Sequence, residues 1–253
     1  MSKIVVKIGS ALLVNKDTKS FRREWLNTVA QDIERLGASG HEVVLVSSGA
    51  IALARAYFGS EDNTLPNKQA LSTYGQPILM AEYNFAFDKQ SVSQLLLTRD
   101  DLKNRARRNN ILQTISALKE MGILPVVNEN DAVATEEIKF GDNDQLAALL
   151  AKAINADELI ILTRTDGLYT GDPETDPNAK HIPMVEGKIS RLFKSYALGT
   201  TNADSTGGME SKIKAAEIAL KAGVKVTIAS GLEDFPISRI QSSSVLKTVF
   251  QPA

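Results

Sequence analysis

Four short segments of this chain set lysine, serine, asparagine or aspartate beside glycine, residue types that can hold an anion or a zwitterion without thiol or imidazole. In VVKIGSALL, residues 5–13, Lys7 interrupts an apolar run and is followed by Gly9 and Ser10. Glycine lets the backbone approach an anion while the ammonium sits beside it. On its own the segment fits an edge strand with a solvated lysine head equally well. In VSSGAI, residues 46–51, small residues open a helix after a strand, and the Ser47 and Ser48 hydroxyls with nearby N–H groups could hold a carboxylate or phosphate. An ordinary strand-to-helix turn would read the same way. The order is not G-x-S-x-G, and two histidines leave little scope for a serine-hydrolase triad.

The third segment is the most unusual. VVNENDAVA (126–134) and EIKFGDNDQLAAL (137–149) crowd Asn128, Glu129, Asn130, Asp131, Asp142, Asn143 and Asp144 into two turns. Asparagine can donate to a carboxylate and aspartate can pair with an ammonium, so the cluster suits an amino-acid zwitterion better than a plain asparagine-rich turn. The fourth, STGGMESKIKAAEIALKAG (205–223), puts Thr206, Gly207 and Gly208 before a helix with Lys212 in its first turn. A cation there opposes the helix dipole, a conflict that a bound phosphate would remove. Neither G-x-x-x-x-G-K-[ST] nor G-x-G-x-x-G occurs, which disfavours a P-loop fold and a dinucleotide site.

Composition narrows the chemistry further. The chain has 253 residues, 29 basic and 30 acidic side chains, no cysteine and two histidines. Disulfide, zinc-finger and iron–sulfur scaffolds are excluded, and a metal would have to rest on oxygen ligands. A net charge of -1 gives no electrostatic footprint for nucleic acid or anionic membrane. The basic run Lys103, Arg105, Arg107, Arg108 is expected on one helix, pointing around it as a solvated or inter-subunit surface. His41 and His181 are expected at the surface, and Trp25 and the aromatics of 69–89 in core or interface packing. No signal peptide and no membrane span are read, so a cytoplasmic location is expected.

The elements that must position these residues alternate. Strands are expected at Ile4–Ile8, Glu42–Ser47, Ser93–Thr98, Leu124–Asn128, Glu158–Thr163 and Lys225–Ala229, mostly apolar on both faces as a helix-covered parallel sheet requires. Helices are expected at Arg22–Ala38, Gln69–Lys89, Asp101–Met121, Asp144–Ala156 and Lys212–Ala222, with Gly40, Gly122 and Gly223 as stops and Asp100 and Asn143 as N-caps. Residues 167–185, with three prolines, read as turns and a hairpin. One domain with a functional division near residue 155 is expected, and no further C-terminal domain.

Taken together, VVKIGSALL, VSSGAIALA, QLLLTRDDL, LPVVNENDAVATEEIKFGDNDQLAALLA, GLYTGDP and STGGMESKIKAAEIALKAGV resemble the amino-acid kinase superfamily, nearly end to end and in order. NENDAVA and GDND point within it to the branch that phosphorylates the γ-carboxylate of L-glutamate, the first step of proline biosynthesis. The resemblance implies an α/β fold, a three-layer αβα sandwich around a largely parallel sheet. It implies a glutamate site in the N-terminal part and an ATP site in the C-terminal part.

Carried over by that resemblance, Lys7 and Lys212 would neutralise the transferred phosphoryl group and Asp144 would orient them. Ser48, Asp131 and Asn143, with Asn128 nearby, would bind glutamate. Lys7, Gly9, Ser10, Thr163, Arg164, Thr206, Gly207, Gly208, Met209, Glu210, Ser211 and Lys212 would bind ATP, whose phosphates carry the Mg²⁺, with no protein ligand assigned to the metal. Long apolar helices such as that over 69–89 suit a homodimer or homotetramer, and a first committed step suits feedback inhibition by proline, which no residue pattern here demonstrates. Two positions depart from the family pattern: Thr163-Arg164 stands where many relatives have Thr-Asp, the next acid being Asp166, and Ser205 stands in place of glycine. The alternatives are another kinase of the same fold, acting on aspartate, acetylglutamate, carbamate or uridylate, or a non-catalytic ligand sensor.

Overall fold

The structure is a computed structural model, and it describes residues 1–15, 18–133, 143–197, 208–242 and 245–253. In chain order the elements are β1 (Lys3–Ile8), α1 (Ser10–Leu13), α2 (Arg23–Ala38), β2 (Glu42–Val46), α3 (Ala50–Phe58), α4 (Leu65–Ala86), β3 (Val92–Leu97), α5 (Arg99–Lys103), α6 (Arg105–Glu120), β4 (Leu124–Glu129), a 3₁₀ turn (Asp131–Val133), α7 (Asn143–Ala153), β5 (Glu158–Thr163), β6 (Leu168–Tyr169), β7 (His181–Ile182), β8 (Met184–Glu186), α8 (Arg191–Ala197), α9 (Met209–Leu220), β9 (Lys225–Ser230), α10 (Pro236–Gln241) and β10 (Lys247–Gln251).

Eight strands form one sheet in the order β3-β4-β2-β1-β5-β9-β10-β8. The first six are parallel to one another; β10 runs antiparallel to β9 and parallel to β8. The central strands are β-branched and apolar on both faces, because helices cover both. Strand alternation divides them into two cores. Val5, Val44, Val46, Leu159, Ile161, Val226 and Ile228 pack with α7 and α9 on one face. Ile4, Val6, Ile8, Leu45, Ile160 and Leu162 pack with α2, α4 and α10 on the other. The expected layered α/β sandwich is what forms.

This alternation fixes Lys7. It lies two residues beyond Val5, so its side chain leaves β1 on the face that carries α7 and α9, paired in register with Val46 and Ile161. β1 is a central strand between β2 and β5, and Lys7 is buried, which overturns the edge-strand reading.

The six expected strands all form, to within a residue or so at each end. The glycines expected as helix stops lie at positive φ: Gly40 at 84°, Gly122 at 73° and Gly223 at 77°. Other expectations are corrected. The single helix over 101–121 is two, α5 and α6, because Thr98 caps α5 in a reciprocal box with Asp101 and the Asn104 side chain caps α6 by accepting from the Arg107 N–H. Asp100 is therefore not a cap, and the basic run straddles the break, with Lys103 paired to Asp100 and Arg107 to Asp101. The helix expected at 69–89 begins earlier, at Leu65, and ends at Ala86. The hairpin expected at 167–185 does form, as the antiparallel pair β6–β7. His41 and His181 are half-buried rather than exposed. Trp25 is buried among core residues, with its indole N–H donating to the Glu233 carbonyl.

Candidate active site

Strands β1, β2, β4, β5 and β9 end at the same edge of the sheet, and the polar segments follow those ends, where open α/β sheets place ligands. Backbone bonds hold the exits: the Gly9 N–H donates to the Leu162 carbonyl at 3.1 Å, Ser47 to Val127 at 2.8 Å and Gly231 to Thr163 at 2.8 Å.

Three charged residues meet beneath this edge. Lys7 Nζ lies 2.6 Å from Asp144 Oδ1 and Lys212 Nζ lies 3.1 Å from Asp144 Oδ2. Lys7 comes from β1, Asp144 from the first turn of α7 and Lys212 from the start of α9, and all three are buried. Apolar contact brings the two helices together: Leu146, Ala147, Leu150 and Ala151 of α7 share a core with Ile213, Ala215, Ala216 and Ala219 of α9. The small alanines allow close approach. Burial pushes the Asp144 carboxyl upward, but the Lys212 and Lys7 ammonium groups outweigh it and hold the carboxyl below its usual range. Two ammonium groups thus converge on one buried carboxylate.

A second cluster adjoins the first through the neighbours Asn143 and Asp144. Asn143 Nδ2 donates to the Ser47 carbonyl at 2.5 Å, to Asn128 Oδ1 at 2.7 Å and to Ser48 Oγ at 3.2 Å. Ser47 Oγ lies 2.8 Å from the buried Tyr83 hydroxyl, whose pKa burial drives well above its usual value. Across the same space Asp131 accepts from Ser72 Oγ at 2.7 Å, and burial raises its pKa against that hydrogen bond. Ser10, Ser48, Asn128, Asp131 and Asn143 line a cleft of about 390 Å³, whose outer wall carries Lys19, Arg55 and Lys68.

Thus Lys7, Asp144 and Lys212 come together, as do Ser48, Asn128, Asp131 and Asn143, with Ser10 on the cleft wall. Gly9 lies close to Lys7: a Cβ on it would be 3.9 Å from Lys7 Nζ. Thr163 ends β5, while Arg164 beyond it is exposed. Gly208 is the N-cap of α9, and the Ser211 N–H returns to its carbonyl at 3.1 Å. Met209 is buried, and Glu210 is turned to an ion pair with Lys214 at 2.6 Å. Asp142, Ser205, Thr206 and Gly207 lie outside the described residues.

The sequence reading missed Ser72, Gln76 and Gln94. Gln76 Oε1 accepts from Gln94 Nε2 at 2.6 Å and from Asn128 Nδ2 at 3.2 Å. A signal was present. Ser72 and Gln76 lie one turn apart on the α4 stripe that also buries Leu71, Gly75, Leu79 and Tyr83, and polar residues on a buried stripe call for partners.

The sheet order and the helix layers define a layered α/β architecture with two lysines paired to one aspartate at the carboxyl edge of its sheet. The chain belongs to the Amino acid kinase family, whose pattern matches residues 2–230. Among curated relatives it is 45% identical over 249 residues to "Glutamate 5-kinase" of Gluconobacter oxydans, covering 96% of this chain and 65% of that protein. It is 44% identical over 257 residues to "Glutamate 5-kinase" of Citrifermentans bemidjiense, covering 100% of this chain and 68% of that protein. The chain thus spans about two thirds of the length of the curated relatives it matches. Among solved structures it resembles UMP kinase from Ureaplasma parvum (TM-score 0.67, 16% identity, 99% of this chain and 98% of that one). It also resembles carbamate kinase from Giardia lamblia bound to AMP-PNP (TM-score 0.66, 19% identity, 100% and 99%). These two share the fold. Among the described residues, no helix is long and apolar enough to cross a membrane.

Proposed function

We propose that the chain transfers the γ-phosphoryl group of ATP to the γ-carboxylate of L-glutamate, giving L-glutamyl 5-phosphate and ADP. The observation that carries this reading is the placement of Lys7 and Lys212 on the two oxygens of buried Asp144, directly beside the serine, asparagine and aspartate cleft. A carboxylate oxygen of glutamate attacks the γ-phosphorus; the new O–P bond forms as the bond to the β,γ-bridging oxygen breaks, and its electron pair leaves with ADP. The attacking group is already ionised at neutral pH, so no general base is needed, and the scarcity of histidine is no obstacle. What the protein supplies is position and positive charge where negative charge accumulates.

In this reading Asp144 keeps the two ammonium groups apart and aimed. Asp131 takes the substrate ammonium, and Ser48, Asn128 and Asn143 shape the cleft around the amino acid. Gly9, Ser10, Thr163, Arg164 and residues 206–212 serve the nucleotide. In this reading the Mg²⁺ is carried by the phosphates of ATP. A cytoplasmic homo-oligomer with proline as feedback inhibitor completes this reading.

Incubation with ATP, Mg²⁺ and L-glutamate should release ADP, and hydroxylamine should trap the acyl phosphate as a hydroxamate. Turnover with aspartate, acetylglutamate, carbamate or a nucleoside monophosphate but not with glutamate would reassign the substrate. Glutamate or proline binding without any ATP turnover would make the chain a sensor.

A further inference from the structure

The Ser47 hydroxyl, which the sequence offers as a ligand contact, is engaged inside the protein instead. Ser47 is fully buried, and its single hydroxyl hydrogen goes to the Ser48 carbonyl at 3.1 Å. The Tyr83 hydroxyl, 2.8 Å from the same Oγ, must therefore be the donor of that second bond. Tyr83 is itself fully buried on α4, so a relay of two hydrogen bonds runs from α4 through Ser47 to one carbonyl at the cleft wall. Among the described residues, that carbonyl accepts from no other group.

The peptide that carries this carbonyl joins Ser48 to Gly49, and it has two ways to sit. Gly49 lies at φ 97° and ψ -3°, the geometry of the third residue of a type II turn. Turning that one peptide over gives the type I geometry, with φ of about -90° and ψ still close to zero. Glycine takes either sign of φ readily, so Gly49 by itself favours neither form. A trans peptide sends its N–H opposite to its carbonyl. With the Ser48 carbonyl drawn to Ser47, the Gly49 N–H is turned away from Tyr83, and it donates to no group among the described residues. Gly49 lines the cleft beside Ser48. In the other form the Ser48 carbonyl would stand where that N–H stands, presenting an acceptor to an anionic substrate.

We propose that Tyr83 is a positioning residue: through Ser47 it holds the Ser48–Gly49 peptide in the form that offers an N–H, and not a carbonyl, to a carboxylate oxygen of the substrate. This rests on the glutamate kinase reading. Tyr83 touches no substrate, and its effect passes through Ser47 Oγ. Without the Tyr83 hydroxyl, Ser47 Oγ loses the donor that fixes its rotamer, its hold on the carbonyl weakens, and the peptide divides between the two forms. Only one of them binds glutamate, and saturating glutamate draws the population back to it.

The experiment measures steady-state ADP release and thermal melting for wild type, Tyr83→Phe, Ser47→Ala and the double variant. Tyr83→Phe keeps the ring in the core and removes only the hydroxyl. Its KM for glutamate should rise about tenfold, the scale of one hydrogen bond, with kcat and the KM for ATP near wild type. Ser47→Ala should raise the KM for glutamate at least as much. The double variant should lose no more than Ser47→Ala alone, because both changes act through one carbonyl. A role in packing alone would lower the melting temperature and leave the KM for glutamate where it was. A Tyr83→Phe enzyme with the wild-type KM for glutamate, one whose kcat falls in step with its stability, or a double variant whose losses multiply overturns the proposal. Should Tyr83→Phe not fold, Ser47→Ala decides: a raised KM for glutamate with kcat preserved supports the proposal, and an unchanged KM overturns it. A wild-type chain inactive with glutamate removes the kinase reading itself, and this proposal with it.

Discussion

Lys7 on the central strand β1 and Asp144 on the first turn of α7 touch at 2.6 Å, and Lys212 holds the other oxygen of the same carboxylate. Asp144 is shared by two buried ammonium groups, so the three residues are not equivalent in what their loss does.

Asp144→Asn should therefore destabilise the chain more than Lys7→Met or Lys212→Met. The first removes the carboxylate that both ammonium groups share; each of the others leaves one lysine–aspartate contact in place. Breaking a buried ion pair typically costs about 3–5 kcal/mol, and the lysine variants should fall well below that range. Urea unfolding of the three variants checks the order. All three should lose roughly 10²–10³ in kcat, the usual scale for a group that stabilises transition-state charge. A lysine variant with near-normal kcat removes that lysine from the mechanism.

The same triad sets an acid limit. Because Asp144 is held below its ordinary value in the folded chain, its contribution to stability is complete above pH about 4 and disappears only as the pH falls through the depressed folded value. The stability gap between wild type and Asp144→Asn should stay level from neutral pH down to about pH 4 and close below it. A gap that closes already between pH 5 and 7 contradicts this.

Asp131 carries the opposite sign. Burial raises its pKa, so its protonated form favours the fold, and that support is lost as the pH rises from the unfolded value through the raised folded one. Asp131→Asn should be at least as stable as wild type at neutral pH, because Ser72 can still donate to the amide oxygen. Its KM for glutamate should rise roughly 10–100-fold with kcat less affected, as expected for loss of a charged hydrogen bond used in both ground and transition states. Steady-state kinetics with a thermal melt reads both.

Gly75 governs how closely α4 lies on α3. A Cβ there would stand 2.0 Å from the Ala50 carbonyl oxygen, against backbone that has no rotamer to yield. Gly75→Ala should cost about 1–3 kcal/mol and push Ala50 outward, just after Ser48 and Gly49 of the cleft wall. A lowered melting temperature together with a raised KM for glutamate is the expected pair. Loss of stability with an unchanged KM would show that the helix contact does not set the cleft.

Much of the fold was legible because parallel strands covered on both sides must be largely apolar, and β1, β2, β4, β5 and β9 are. The pair β10 and β8 was not; β8, at three residues, carries no period to count. The break at Asn104 was missed because its signals are side-chain caps, which compete with the longer helical pattern in the sequence and prevail only when Thr98, Asp101 and Asn104 find their backbone partners. Ser72 and Gln76 were read as part of a packing helix because helical spacing marks a face without saying what lies opposite.

The sequence by itself determined the residue types at the strand ends, the absence of thiol chemistry and, through the two-residue alternation of β1, that Lys7 shares a face with Val5. Which groups Lys7 would meet there was decided only by the tertiary structure. Asp144 and Lys212 are 68 residues apart, and they converge on one carboxylate because α7 and α9 are pressed together over the same strands by their alanine and leucine faces. The amide chain from Gln94 to Asn143 was decided there as well. Its members lie on β3, α4, β4 and α7, and a hydrogen bond has a direction only once both of its ends are in place.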